Sequence, residues 1–204
     1  MGSNRPTHTC CAGVITIGVD EAGRGALAGP VVAAAVSLSE AGLQLPLMDS
    51  KKLSAVDRDA LFEALHRSGS RIHAACLSAR YIDKTNILKA TLVAMKRAVD
   101  GLHLRTEPFL EILVDGNKVP PLGYGHVQAI VKGDTLIPAI SAASIIAKVT
   151  RDRIMMALHP KFPRYRFDQH KGYGTAEHYD AIFAYGPCNS HRLSFNLTRQ
   201  ESLF

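Results

Sequence analysis

Asp20 and Glu21 are adjacent carboxylates, and Gly23-Arg24-Gly25 follows them after one alanine. Two more acids stand where apolar runs end: Asp115 after Phe109–Val114, and Asp134 after Val127–Val131. Carboxylates are hard oxygen donors, and an arginine between glycines suits a phosphate that must come close to the backbone. Together they suggest a hard metal ion working on a phosphate. In open α/β sheets ligand sites gather at strand ends. If these ends are neighbours, four acids converge there. Such a cluster cannot stay fully ionised alone, because like charges raise one another's pKa. Oxygen donors without His or Cys beside them suit Mg²⁺ or Mn²⁺ rather than zinc. Two such ions ~4 Å apart can activate a water and stabilise the leaving oxygen of a phosphodiester.

The same residues have a plainer reading. Asp-Gly after a strand is an ordinary turn, so Asp115 and Asp134 alone would carry little. Adjacent residues on a strand also point to opposite faces. Asp20 and Glu21 therefore serve one site only if the strand ends or bulges there, or if Glu21 acts through a carbonyl or a water.

The elements that would position these acids can be read from periodicity. Val14–Val19 and Val31–Leu38 read as strands joined by a glycine-rich turn, and Arg71–Ser78 as a third. Ser54 with Asp57 three residues on opens a helix with Leu61, Phe62 and Leu65 on its apolar face. Lys84–Asp100 has helical spacing through Ile87, Leu88, Leu92, Met95 and Val99. Pro138–Leu158 reads as a long helix. Leu43–Lys52 reads as a loop, and short helical pieces follow, with Thr175 as a cap and Gly186-Pro187 as a stop. Strands come first as a meander and then alternate with helices. This predicts an α/β fold: a mixed β-sheet flanked by helices, with a small C-terminal helical and loop extension.

The 204 residues carry 24 Lys and Arg against 18 Asp and Glu, a net charge of +6. The basic excess favours polyanionic partners. Length and a 47% hydrophobic content fit one domain with a real core. The four cysteines, Cys10, Cys11, Cys76 and Cys188, show neither a CxxC pair nor metal-ligand spacing. No apolar run reaches membrane-span length, and the polar first residues do not resemble a secretory signal. A monomeric cytoplasmic protein with reduced thiols is the expectation.

Several stretches resemble bacterial ribonuclease HII. They are Asp20-Glu21-Ala22-Gly23-Arg24-Gly25, Leu27 to Ala35, Asp49-Ser50-Lys51-Lys52-Leu53, Val114-Asp115-Gly116-Asn117 and Lys132-Gly133-Asp134. Ser141 to Asp152, Lys171-Gly172-Tyr173-Gly174-Thr175 and His191-Arg192-Leu193-Ser194-Phe195 complete the set in the family's order, over residues 14 to 197. The resemblance implies the ribonuclease H-like fold and a metal-dependent endonuclease. It would cut RNA in RNA–DNA hybrids, and the 5′ side of single ribonucleotides embedded in duplex DNA, as in ribonucleotide removal. By motif position Asp20, Glu21, Asp115 and Asp134 are its acidic quartet, with Asp152 kept as an alternative fourth acid. Gly23, Arg24 and Gly25 are its ribonucleotide-reading turn, and Tyr173 its sensor of the ribo-to-deoxyribo junction. The family usually has proline after this turn, where this chain has Ala26. The type III enzymes share the acids but lack Gly-Arg-Gly and carry a long N-terminal domain.

Other residues extend the interface. Ser141, Ser144, Lys148 and Asp152 share one face of the long helix and are expected at the site or on nucleic acid. Lys51 and Lys52 follow a turn and can reach a phosphate. Arg151, Arg153, Lys161, Arg164, Arg166 and Lys171, interleaved with aromatics, suggest a surface for a duplex backbone. His191 and Arg192 either line the site or are structural. Gln200, Leu203 and Phe204 belong to a terminal peptide resembling those that dock on a sliding clamp. The expected organisation is a flexible segment 1–12, a catalytic domain 13–197 and a tail 198–204. Two rival readings remain: a DNA nuclease or strand-transferase of the same fold, and a non-catalytic nucleic-acid-binding protein.

Overall fold

The computed structural model describes residues 13–47 and 53–198. The segment 1–12, Lys51 and Lys52, and Gln200, Leu203 and Phe204 lie outside the described residues. Five strands, β1 (Ile15–Ala22), β2 (Val31–Ser37), β3 (Arg71–Leu77), β4 (Leu110–Asp115) and β5 (His126–Ile130), form one sheet in the order β3-β2-β1-β4-β5. The β1–β2 and β2–β3 ladders are antiparallel. The β1–β4 and β4–β5 ladders are parallel. The helices are α1 (Glu40–Leu43), α2 (Ala55–Arg67), α3 (Ala79–Lys84), α4 (Ile87–Asp100), α5 (Pro138–Leu158), α6 (Phe167–His170) and α7 (Ala176–Tyr185).

The sheet is covered on both faces, so its central strands are apolar on both sides. Ile17, Val19, Ala33, Ile112 and Val114 pack with Ala94, Met95 and Val99 of α4. Ala22, Ala34 and Val36 pack with Ala142, Ile145, Ile146 and Val149 of α5. Ile145 and Ile146 are almost wholly enclosed, worth roughly 1.5–3 kcal/mol each. Pro138 opens α5, where its missing N–H costs nothing. Helix α5 lies unusually close to β1, and Gly18 is the reason. A Cβ there would lie 2.0 Å from the Ala139 carbonyl carbon.

Caps set most boundaries. Ser54 accepts from the Asp57 N–H at 3.1 Å, and Thr175 accepts from that of His178. The helix predicted over Lys84–Asp100 is α4 beginning at Ile87, because Asn86 caps it by accepting from Lys89 at 2.8 Å, and Lys84 is the last residue of α3. Within the segment predicted as a loop from Leu43, the described residues to Leu47 follow α1, which Ser39 caps. No helix among the described residues is long and apolar enough to cross a membrane.

Candidate active site and nucleic-acid interface

The first strand does not stop before the acids. Its ladder with β2 runs on through Asp20–Ala34, Glu21–Ala33 and Ala22–Val32. Its ladder with β4 stops at Val19–Val114. Asp20 and Asp115 are thus the next residues in register, beside the edge that β4 vacates. Asp20 shares its face with Gly18 and Ala22 and points toward α5, where Ser144 hydrogen-bonds it. Glu21, paired with Ala33, begins on the opposite face. Its carboxylate meets the Arg24 guanidinium at 3.2 Å. No bulge occurs among the paired residues. Glu21 nonetheless lines the cleft with Ser144 and Lys148 of α5, the helix toward which Asp20 points.

Asp115 ends β4 and accepts the Gly133 N–H at 2.7 Å. The next residue, Asp134, sits in the 3₁₀ turn Gly133–Thr135 and is buried. One hydrogen bond thus ties the Asp134 turn to Asp115. Asp152 is engaged elsewhere, with Lys148 at 2.9 Å one helical turn away.

Asp20 is only 5% exposed. Burial first, then the charges of Glu21 and Asp115, push its carboxyl up to about 8, against the hydrogen bond from Ser144. Glu21 is also raised by burial, with Arg24 opposing. Among the described residues no three His, Cys, Asp or Glu side chains form a ready-made metal-holding group. The donor chemistry nonetheless suits a hard divalent cation. Three oxygen-donor acids lie within electrostatic reach of one another, and the innermost resists ionising without added positive charge.

Beside the acids the chain turns. Gly23 has φ +91°, and a Cβ there would lie 2.0 Å from Arg151 Nε. Gly25 is different: its φ is not left-handed, and a Cβ would meet nothing within 4 Å. The fold therefore accounts for Gly23, whereas Gly25 faces open space. Arg24 is exposed.

A cleft of about 290 Å³ joins these parts, lined by Glu21, Gly23, Arg58, Ser144, Lys148 and Tyr173 among others. Lys148 Nζ lies 5.5 Å from the Tyr173 ring centre, and Arg151 lies 5.0 Å from it. The Gly172 carbonyl accepts from Leu27 N–H at 2.8 Å, which docks the Tyr173 loop on the chain after the turn. The expected polar stripe divides: Ser144 and Lys148 line the cleft, while Ser141 turns away to donate to the Leu47 carbonyl.

The expected basic surface from Arg151 to Lys171 divides, with Arg153, Lys161, Arg164 and Arg166 exposed and Arg151 enclosed. Arg151 is fully buried and donates to the carbonyls of Pro30, Lys171 and Ala28. Arg153 pairs with Asp59 and Glu63, and Arg166 with Glu177. Tyr165 and Phe167 are buried and Phe162 packs against them. Arg192 is also fully buried, with its fork on the carbonyls of Gly23 and Arg24. Arg58 is a cleft residue that sequence reasoning missed, and a lone arginine on an exposed helix gives no signal. Arg151 did carry one. It lies four residues from both Ala147 and Met155 on an apolar face, where a charge needs carbonyl partners.

A mixed five-stranded sheet with acids at the β1 and β4 ends is the ribonuclease H-like fold of polynucleotide-cutting enzymes. Solved structures with this fold include the RNase HII of Archaeoglobus fulgidus in a complex with PCNA. Its TM-score is 0.75 at 29% identity, over 93% of this chain and 98% of that one. The ribonuclease H2 of Pyrococcus horikoshii OT3 gives 0.69 at 29%, over 90% and 95%. Bst-RNase HIII, in a complex with Mn²⁺, shares the fold at 19% identity and a TM-score of 0.70, over 91% and 68%.

The family model of ribonuclease HII matches residues 17–198. The ribonuclease HII of Paracidovorax citrulli is 54% identical over 89% of this chain and 74% of its own length. That of Burkholderia thailandensis is 53% identical over 92% and 86%. The chain belongs to the ribonuclease HII family. It is an endoribonuclease, a hydrolase acting on RNA–DNA hybrids.

Proposed function

We propose that this chain hydrolyses the phosphodiester on the 5′ side of single ribonucleotides in duplex DNA as well as within longer hybrids, in ribonucleotide removal. The observation that carries this reading is the shared cleft: Glu21, Gly23 and Tyr173 line one space, and the sheet puts Asp20 next to Glu21 in the chain and Asp115 one register step beyond the Val19–Val114 pair. Asp20, Glu21, Asp115 and Asp134 would hold two Mg²⁺ or Mn²⁺ ions. Bound there, divalent cations supply the positive charge that activates water and stabilises the leaving oxygen. Ser144 orients Asp20, and Gly133 orients Asp115.

The 2′-OH separates RNA from DNA at one position. Gly25 leaves the space for a ribose to reach the backbone. Arg24, Lys148 and Arg58 offer charge to the flanking phosphates. Lys51 and Lys52 are proposed for the same role. The Tyr173 ring, carried on a docked loop, stacks on the deoxyribose beside the ribonucleotide, where a 2′-OH would clash. Gln200, Leu203 and Phe204 are proposed to dock on a sliding clamp. Equal clamp retention with and without the last five residues would sink that part.

The deciding assay uses a DNA duplex with one embedded ribonucleotide, with Mg²⁺, Mn²⁺ or chelator, and maps the cut. A single cut 5′ of the ribonucleotide, lost in chelator, is the expected result. Cutting in chelator, or cutting of the all-DNA duplex, would refute the reading.

A further inference from the structure

Arg192 makes three side-chain hydrogen bonds, all to the carbonyls of one segment. Nε donates to Gly29 at 3.1 Å, one terminal nitrogen to Arg24 at 2.8 Å and the other to Gly23 at 2.7 Å. Its backbone N–H donates to the Leu27 carbonyl at 2.8 Å. The side chain is completely enclosed.

This has a geometric consequence. In a trans peptide the C=O of one residue and the N–H of the next point to opposite sides of the chain. The chain has no cis peptide among the described residues. Drawing the Gly23 and Arg24 carbonyls inward onto one planar fork therefore aims the N–H groups of Arg24 and Gly25 outward. Among the described residues neither N–H meets a protein acceptor. The space over Gly25 is open.

We infer that Arg192 is the positioning residue for ribose recognition: its guanidinium presets the turn so that the Arg24 and Gly25 amides converge on the 2′-oxygen. This rests on the reading of Gly23-Arg24-Gly25 as the ribonucleotide reader. Successive amides aimed outward form a concave donor site. Two donors, pre-aimed, need not reorganise when the hydroxyl arrives. A deoxyribose leaves both unmet, and the turn then discriminates by what it lacks.

Asp83 of α3 supports this placement from behind. Its carboxylate accepts from Leu193 N–H at 3.0 Å, from Ser194 N–H at 2.9 Å and from the Ser194 hydroxyl at 2.6 Å. These three bonds fix the two residues after Arg192 and so fix where its side chain enters. Lysine cannot replace the fork, because an ammonium is a single point of charge and does not span two adjacent carbonyls in a plane.

The test is binding of the full chain, in chelator, to two DNA duplexes that differ only in one 2′-OH. Wild type, Arg192→Lys and Asp83→Asn are compared, and melting checks the fold. The expected result is a wild-type preference for the ribonucleotide duplex that falls about tenfold in Arg192→Lys, the size of one well-made charged hydrogen bond. Asp83→Asn should lose about threefold, with affinity for the all-DNA duplex kept in both. If Arg192→Lys does not fold, the Asp83→Asn preference decides. A folded variant that keeps the full preference, or that loses affinity for both duplexes in equal proportion, overturns the role of Arg192. A wild type without any preference overturns the reading of the turn itself.

Discussion

Asp20 and Asp115 are the next residues in register across the parallel β1–β4 ladder, one step beyond the Val19–Val114 pair at which it ends. They belong to separate strands 95 positions apart in sequence, yet the pairing sets their spacing. Asp20 is still held by β2 on its other side. A strand bound on one edge and free on the other keeps its carboxyl rigid while leaving room beside it.

Replacing Asp20 by asparagine should separate catalysis from stability. Burial and two neighbouring acids work against its ionised form. Asp20→Asn should therefore melt at or above the wild-type temperature in chelator. Hydrolysis should fall by roughly a thousandfold or more, since the lost charge stabilisation is several kcal/mol. Added Mg²⁺ should raise the melting temperature of wild type, as any ligand of the native state does, and leave that of the variant unmoved. Differential scanning in both conditions checks this. An equal Mg²⁺ response in the two proteins would remove Asp20 from the metal site.

Gly23 and Gly25 should respond oppositely to alanine. At Gly23 a Cβ would strike the Arg151 side chain on a left-handed backbone, so Gly23→Ala should destabilise by about 2–4 kcal/mol. At Gly25 neither obstacle exists. Gly25→Ala should leave stability unchanged or raise it by about 0.4–1 kcal/mol, while cleavage at a single ribonucleotide falls sharply. Urea unfolding and the single-ribonucleotide assay together check the pair. Full cleavage by Gly25→Ala would mean that no ligand group enters that space.

The sheet was legible from the sequence because its central strands are apolar runs bounded by glycine and acid. Helix α5 was legible from Pro138 to Leu158. Adjacency of Asp20 and Asp115 was not. It depends on register between strands far apart in sequence, which no local pattern encodes. The start of α4 at Ile87 was missed by three residues because its apolar spacing hides a cap at Asn86 whose partner is the Lys89 backbone. The roles of Arg151 and Arg192 were only partly legible, for another reason. Composition counts an arginine as surface charge, while both are enclosed, Arg151 on the carbonyls of Ala28, Pro30 and Lys171 and Arg192 on those of Gly23, Arg24 and Gly29.

Gly18→Ala should damage the site from a distance. The added carbon would meet the Ala139–Ile140 backbone, which cannot give way as a side chain tip can. Helix α5 must shift, and with it Ser144 and Lys148. A destabilisation of about 3 kcal/mol is expected, at the upper end for overpacking. Activity per folded molecule should fall too, because Ser144 no longer meets Asp20. Urea melts and active-site-normalised rates check this. A variant with wild-type stability would show that α5 and β1 are not in close contact.

Acid should loosen the loop that carries Tyr173. His178 and His191 are buried. Their partners assign the protons. His178 Nδ1–H donates to the Tyr173 carbonyl at 2.9 Å, and the Cys188 N–H donates to His191 Nδ1 at 2.9 Å. That leaves a proton on His191 Nε2, which donates to His178 Nε2 at 3.1 Å. The chain of bonds holds only while both rings are neutral, since a further proton on His178 would face the N–H of His191. Burial is the main cause that pushes His178 down to about 4, and it lowers His191 as well. The unfolded chain takes up these protons near pH 6.5. Between about 6.5 and 4 the unfolded state therefore binds more protons, and stability falls as pH falls. Urea unfolding at pH 7.5 and pH 5 should differ by on the order of 2 kcal/mol from this source. His178→Gln, which cannot titrate, should be less stable at pH 7.5 and should show a smaller pH difference. An unchanged difference in that variant would place the acid sensitivity elsewhere in the chain.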